Sequence, residues 1–156
     1  MMCRRLGAML LLFMAVFSHA GAPTGSDEAS IVLLCRGDCD AVALDSLRLR
    51  KLFLGLPVAS DGDYLQAAIN LSDPKLEAFF YQSVVAMSRK SFENKRLLYK
   101  LRFAATLPPQ FYKLSAWQRY MQGQEAVISY AWAHDLSDLD AVTILQTLWQ
   151  GEALEN

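Results

Sequence analysis

The sequence predicts one α/β domain in which helices flank a small mixed β-sheet. Three short runs, at 30–34, 126–132 and 141–148, are rich in β-branched and apolar residues and have the length of buried strands. A weaker, alanine-containing strand candidate lies at 64–71. Segments with helical spacing of apolar residues separate these runs, and this mixture is typical of an α/β domain.

The first 20 residues have the pattern of a secretory signal peptide. Arg4 and Arg5 precede an apolar run from Leu6 to Phe17, and Ser18-His19-Ala20 then places small residues at the two positions that a signal peptidase reads. The apolar run is shorter than the about 20 residues that a membrane span needs. We therefore expect cleavage after Ala20, export to a bacterial periplasm and no membrane span in the mature chain.

The mature chain is expected to be one domain over residues 29–156, preceded by a flexible segment at 21–28. Loss of the two leader arginines leaves 13 basic and 16 acidic residues, a net charge of −3. This balance gives no indication of a nucleic-acid partner. The chain is long enough to bury a sizeable core without help from a cofactor, and none is expected.

Two cysteines, Cys35 and Cys39, remain after the leader and flank the tripeptide Arg-Gly-Asp. In an oxidising compartment a disulfide is the favoured interpretation. Free thiols, a redox pair or a metal site are the alternatives. Zinc prefers four ligands, and the mature chain adds only His134 to the two cysteines, so no metal site is predicted. The Gly-Asp step is ordinary turn chemistry, which disfavours an adhesion motif.

Three helix starts follow from capping residues. Asp45 or Ser46 caps the first helix, Ser72-Asp73-Pro74 begins the second, and Ser88 or Ser91 caps a third that runs to about residue 103. The apolar positions of the second helix are predicted to lie in the core: Leu76, Phe79, Phe80 and Val84. A further short helix is expected at 115–122.

The third helix carries six basic residues against Glu93 alone. The simplest interpretation is a solvated face. The alternative is a partner surface, for which the candidate residues are Lys95, Arg96 and Lys100.

Two segments carry a resemblance to a known family. LDSLRLRKLFLGL at 44–56 resembles the helix pattern L-S-x-x-x-L-x-x-I-F-x-G near the start of phosphate-binding periplasmic proteins. EAVISYAW at 125–132 resembles their later strand x-A-I-G-Y-v, and 70–84 falls where they place a strand end and a helix start. The chain thus resembles the phosphate-binding-like type 2 periplasmic binding protein superfamily, in a short form of roughly half the usual length. This implies one lobe, or a reduced two-lobe form, of an ABC-transporter-related binding protein.

The resemblance also implies an anion site. In this family the loop after the first strand lines the ligand cleft, which would place the Cys35–Cys39 loop and Arg36 beside it. Helix N-termini, hydroxyl groups and arginine are the usual oxyanion donors, so the predicted ligands are Arg36, Ser46 and Ser72. The sequence departs from the family's Ser-Gly-Thr element, because Pro74 has no N–H to donate. Ser129 replaces the family's glycine in the late strand.

Two functions are therefore expected, and an enzyme is not. The first is a periplasmic solute-binding module for phosphate or another small oxyanion. The second is an envelope adaptor that binds no small ligand and docks through the basic helix or through exposed aromatic residues. The candidate aromatic residues are Trp117, Tyr120 and Trp132, for which a place in the core is the simpler interpretation. An enzyme is disfavoured because His134 lies alone in a turn-like stretch and no serine has a G-x-S-x-G setting.

Overall fold

The protein is described by a computed structural model at residues 28–37, 44–60 and 63–152. Its main sheet has four strands in the order β4-β7-β1-β8. The central strand β1 (Glu28–Arg36) runs antiparallel to both β7 (Val127–Trp132) and β8 (Val142–Glu152). β4 (Gln66–Ala67) joins the edge parallel to β7. The α/β class predicted from the sequence is confirmed at this level.

The predicted strand at 64–71 was wrong as a single element. The segment instead forms three two-residue strands, because it changes its hydrogen-bonding partner along its length. β3 (Asp63–Tyr64) pairs with β2 (Ala59–Ser60), β4 pairs with β7, and β5 (Ile69–Asn70) pairs with β6 (Gln110–Phe111). These changes of partner leave the end of β5 beside the start of the next helix.

The first helix begins and ends where the sequence predicts. α1 (Ser46–Phe53) is capped by Asp45, whose Oδ1 accepts a hydrogen bond from the Arg48 backbone N–H at 2.7 Å. Gly55 follows the helix with φ +81°, and a Cβ at this position would lie 2.9 Å from the Thr106 carbonyl oxygen. Glycine is therefore required there by conformation and by space.

The second and third helices lie on the same face of the sheet as α1. α2 (Pro74–Phe79) is capped by Asp73 and continues as a π-helical segment, Phe80–Val84. α3 (Arg89–Phe103) follows its cap, Ser88. The predicted core positions are buried at Leu76, Phe80 and Val84, whereas Phe79 is half-buried and faces a groove described below.

The sheet separates two apolar clusters. On one face, Phe80 packs against Phe53, Phe92 and Tyr130 with ring centroids 5.2–5.4 Å apart. On the other face, α4 (Leu114–Gln122) buries Trp117 against β1 and β7. The Trp117 Nε1–H donates to Ser129 Oγ at 2.9 Å, and that hydroxyl donates to the Ala68 carbonyl at 2.8 Å. This relay ties α4 to the sheet.

Several predictions concern residues outside the described ranges. The signal peptide at 1–20, most of the segment at 21–28 and Cys39 lie there, although β1 already begins at Glu28. Cys35 is buried within β1, and its pairing with Cys39 stays a prediction. None of the helices in the described part of the chain is long and apolar enough to cross a membrane.

Candidate functional site

A groove opens at the end of the main sheet where β1 begins and β7 ends. Its volume is about 820 Å³. It is lined by α2 and the residues before it, the π-helical segment, β1, β8, the start of α4, and the end of β7 with the residues after it. The polar lining residues are Ser72, Asp73, Lys75, Gln82, His134 and Asp135. The apolar lining comes mainly from Ile31, Phe79, Leu114, Trp132 and Trp149.

Strand register explains the aromatic wall of this groove. Ile31 in β1 is the register partner of Trp132 in β7 and of Trp149 in β8. Opposed residues in neighbouring strands project from the same face of a sheet, so the two indoles meet over Ile31. Their ring centroids are 5.9 Å apart with the ring planes at 80°, and Trp132 also stacks on His134 with a centroid distance of 6.0 Å.

Two carboxylates lie at the polar edge of the groove. Asp135 is in the short 3₁₀ helix Ala133–Leu136 that follows β7, and its Oδ1 lies 3.5 Å from His134 Nε2. Burial raises the pKa of the Asp135 carboxyl; nearby His134 opposes this shift and the negative charge of Asp73 adds to it. Both carboxylates line the groove, and the negative charge of Asp73 acts on the Asp135 carboxyl.

The start of α2 already holds a carboxylate of the chain. Asp73 Oδ1 accepts hydrogen bonds from the backbone N–H groups of Lys75 at 2.8 Å and Leu76 at 3.1 Å. The Ser72 hydroxyl and backbone N–H both donate to Asn70 Oδ1, at 2.7 and 3.1 Å. The donors that would hold an oxyanion at this helix start are therefore engaged within the chain.

The structure does not bring the three predicted anion ligands together. Ser72 lines the groove, beside Trp132. Arg36 lies at the opposite end of β1, opposite Val127, where its Nη1 donates to the Gln124 carbonyl. Arg36 lies five positions further along the strand than Ile31, a distance of about 16 Å. Ser46 begins α1, is exposed and does not line the groove.

The predicted partner surface on α3 needs one correction. Lys95 and Lys100 are exposed, as expected for such a surface. Arg96 is only 6% exposed, because its Nη2 donates to the Pro108 carbonyl at 2.7 Å and its Nη1 lies 3.5 Å from Glu93 Oε2. Arg96 therefore anchors α3 to the following loop and is not available to a partner.

Apolar side chains on α3 are exposed where the sequence suggested only charge. Leu97 is 57% exposed and Leu101 is 76% exposed, and Leu98 is exposed beside them. These positions recur at helical spacing on the outer face, between Lys100 on one side and Lys95 and Arg102 on the other. The helix thus presents an apolar stripe bordered by basic residues.

Of the three aromatic candidates for a partner surface, Trp117 is fully buried in the core behind the sheet, in agreement with the simpler interpretation. Tyr120 is half-buried against Phe111. Trp132 is half-buried because it forms the wall of the groove. Within the described ranges, no group of three histidine, cysteine, aspartate or glutamate residues could hold a metal ion.

Sequence reasoning missed the contributions of Phe79, His134, Asp135 and Trp149 to the groove. Phe79 was assigned to the core, and the 133–138 stretch was interpreted as a turn. Trp149 fell one residue beyond the predicted strand 141–148. Extending the alternation of that strand to Trp149 would have placed its side chain on one face of the sheet, but not beside Trp132, because the pairing through Ile31 is not visible in the sequence.

Comparison of the chain with protein-family models, with curated proteins and with solved structures finds no match. The resemblance to phosphate-binding proteins therefore rests on the two sequence motifs.

Proposed function

We propose that this chain is a periplasmic solute-binding module, not an enzyme, and that its ligand site is the groove between α2 and the ends of β7 and β8. The observation that carries the proposal is the composition of the groove. It combines an aromatic corner with a few polar groups in a volume of about 820 Å³. Small-molecule sites are typically concave, largely apolar and of this size, with few orienting polar groups.

The ligand implied by the resemblance is phosphate or another small oxyanion, with Ser72 as the donor that reaches the groove. The charges disfavour such a ligand. Asp73 occupies the N–H groups at the start of α2, and Asp135 adds a second carboxylate nearby. The proposed function is therefore solute binding at this groove, with phosphate as one ligand to be tested rather than the assumed one.

A thermal-shift screen of the purified protein tests the proposal. The panel contains oxyanions, amino acids, sugars and amines. A ligand at about 100 times its Kd stabilises the folded state by roughly 2.7 kcal/mol, which raises the Tm by several degrees for a domain of this size. Ala78 lines the groove, so Ala78→Trp should block it, whereas Asn94→Trp on the exposed face of α3 should not.

The expected result is a selective rise in Tm with one class of solute, abolished by Ala78→Trp and retained by Asn94→Trp. A screen without any shift, or a shift that Ala78→Trp leaves intact, contradicts binding at the groove.

A second candidate function is the envelope adaptor, for which the stripe on α3 is the supporting observation. An apolar stripe bordered by lysine and arginine suits an acidic partner protein with an apolar groove. The test is a pull-down from envelope extract with two double variants as bait. One is Leu97→Ser/Leu101→Ser, and the other is Lys95→Glu/Lys100→Glu. Asn94→Ser serves as the matched control on the same face. Loss of the same partner with both double variants supports the adaptor, and unchanged capture contradicts it.

A further inference from the structure

We propose that the groove binds an organic cation carrying a substituted ammonium group. This inference rests on the proposed function and specifies the class of ligand. It depends on two features of the groove that act on the same ligand group: a pair of carboxylates at its edge and an aromatic corner at its wall.

The charge of the lining favours a cation. Asp73 and Asp135 both line the groove. Among the residues that line the groove, one is a lysine or arginine, namely Lys75, and it is exposed. With His134 neutral, the lining has a formal charge of −1. A bound cation would be attracted by both aspartates, whereas a bound anion would be repelled by both.

The aromatic corner favours a cation with alkyl substituents. The indoles of Trp132 and Trp149 meet at 80°, so two ring planes bound one corner, and Phe79 lines the same groove. A cation within about 6 Å of a ring centroid is attracted by the negative face of the ring, and tryptophan is the strongest such partner. Alkyl groups on nitrogen would pack against the same faces by dispersion, which a bare metal cation or a strongly hydrated ion does not offer.

Gly151 controls the orientation of Trp149. A Cβ at Gly151 would lie 2.4 Å from Trp149 Cζ2 and 2.6 Å from its Cη2, so the indole lies directly over the glycine. Any larger residue at this position must displace the ring. Gly151→Ala therefore offers a way to disturb the aromatic corner without removing an aromatic residue, and Gly151 is a positioning residue for the site.

The test is isothermal titration calorimetry of the full-length protein with three probes. Choline chloride supplies a quaternary ammonium, 3,3-dimethylbutan-1-ol has the same shape without the charge, and sodium phosphate is the oxyanion. We expect choline to bind, and the neutral probe to bind about tenfold or more weakly, because it lacks the cation–π and carboxylate attraction. Phosphate should produce no heat of binding.

Isosteric variants locate the effect. Asp73→Asn/Asp135→Asn should weaken choline binding about tenfold, since asparagine keeps the shape and the cap but not the charge. Gly151→Ala should weaken it as well, by moving Trp149. Asp140→Asn, at an exposed aspartate that does not line the groove, is the matched control and should leave the affinity unchanged.

The outcomes separate this inference from the proposed function. Equal affinity for choline and its neutral isostere, or phosphate binding that Ser72→Ala abolishes, overturns the cation inference but leaves solute binding at the groove in place. The cation inference is also overturned, and solute binding at the groove again stays in place, if choline does not bind but a different solute stabilises the protein and Ala78→Trp abolishes that effect. Absence of binding by every probe and every solute in the screen overturns both.

Discussion

The hydroxyl of Ser129 connects α4 to the sheet, and Ser129→Ala removes it. In the native protein this hydroxyl accepts from Trp117 Nε1–H at 2.9 Å and donates to the Ala68 carbonyl at 2.8 Å. Trp117, Ser129 and Ala68 are all fully buried. Water therefore cannot replace the lost partner, unless the structure opens.

The magnitude follows from the groups left without a partner. A buried polar group that loses its hydrogen bond costs about 1–3 kcal/mol. The substitution orphans the indole N–H and removes a bond from the Ala68 carbonyl, so we expect a loss of about 2–4 kcal/mol in the free energy of unfolding. For a domain of this size that corresponds to a fall in Tm of roughly 6–16 °C.

Urea unfolding followed by circular dichroism measures this loss, with Ser137→Ala as the control because Ser137 is an exposed serine. A double-mutant cycle with Trp117→Phe tests the relay itself. Once the indole N–H is gone, Ser129→Ala should cost about 1–2 kcal/mol less than in the native background. A loss below about 1 kcal/mol in the native background, or full additivity of the two substitutions, would refute the relay.

Three further predictions concern single groups. Asp135→Asn should stabilise the protein at pH 7. Because the pKa of Asp135 is raised in the folded state, the wild-type protein loses stability as the pH rises from the ordinary carboxyl pKa through the raised pKa, and asparagine avoids this loss. The gain, measured by Tm against pH, should vanish in acid; a constant gain would contradict it. Burial raises the pKa of Tyr81 to about 12. In an ultraviolet titration, Tyr81→Phe should therefore remove the signal of a phenol that ionises at about pH 12. If the signal that disappears belongs to a phenol titrating at the ordinary pKa of 10.0, the prediction is wrong. Gly55→Ala should cost about 2 kcal/mol through its φ of +81° and its contact with Thr106, and an unchanged urea midpoint would count against that strain.

The helix starts were predictable because capping is a local property. Asp45, Asp73 and Ser88 each accept a hydrogen bond from an N–H two or three residues ahead, so the relevant residues adjoin one another in the sequence. The same local chemistry misled the site prediction. A capping carboxylate fills the position that an anion would take, so a good cap at Asp73 is evidence against an open oxyanion site.

The groove was not predictable because it depends on strand order. Trp132 and Trp149 are separated by the 3₁₀ segment and most of β8, and they meet only because β1 lies between β7 and β8 and places Ile31 opposite both. β7 pairs antiparallel with β1 but parallel with β4. The chain that continues from β4 to Ser72 therefore runs away from the end of the sheet where Arg36 lies. Neither relation follows from periodicity along one segment.

Binding at the groove is tested most directly by the indole N–H signals of the three tryptophans in a nitrogen-15 NMR titration. Trp132 and Trp149 line the groove, whereas Trp117 is buried behind the sheet and donates to Ser129. Addition of choline should shift the signals of Trp132 and Trp149 in a saturable way and leave that of Trp117 in place. Three unmoved signals, or a shift of Trp117 as large as those of the groove residues, would contradict binding of the cation at the groove.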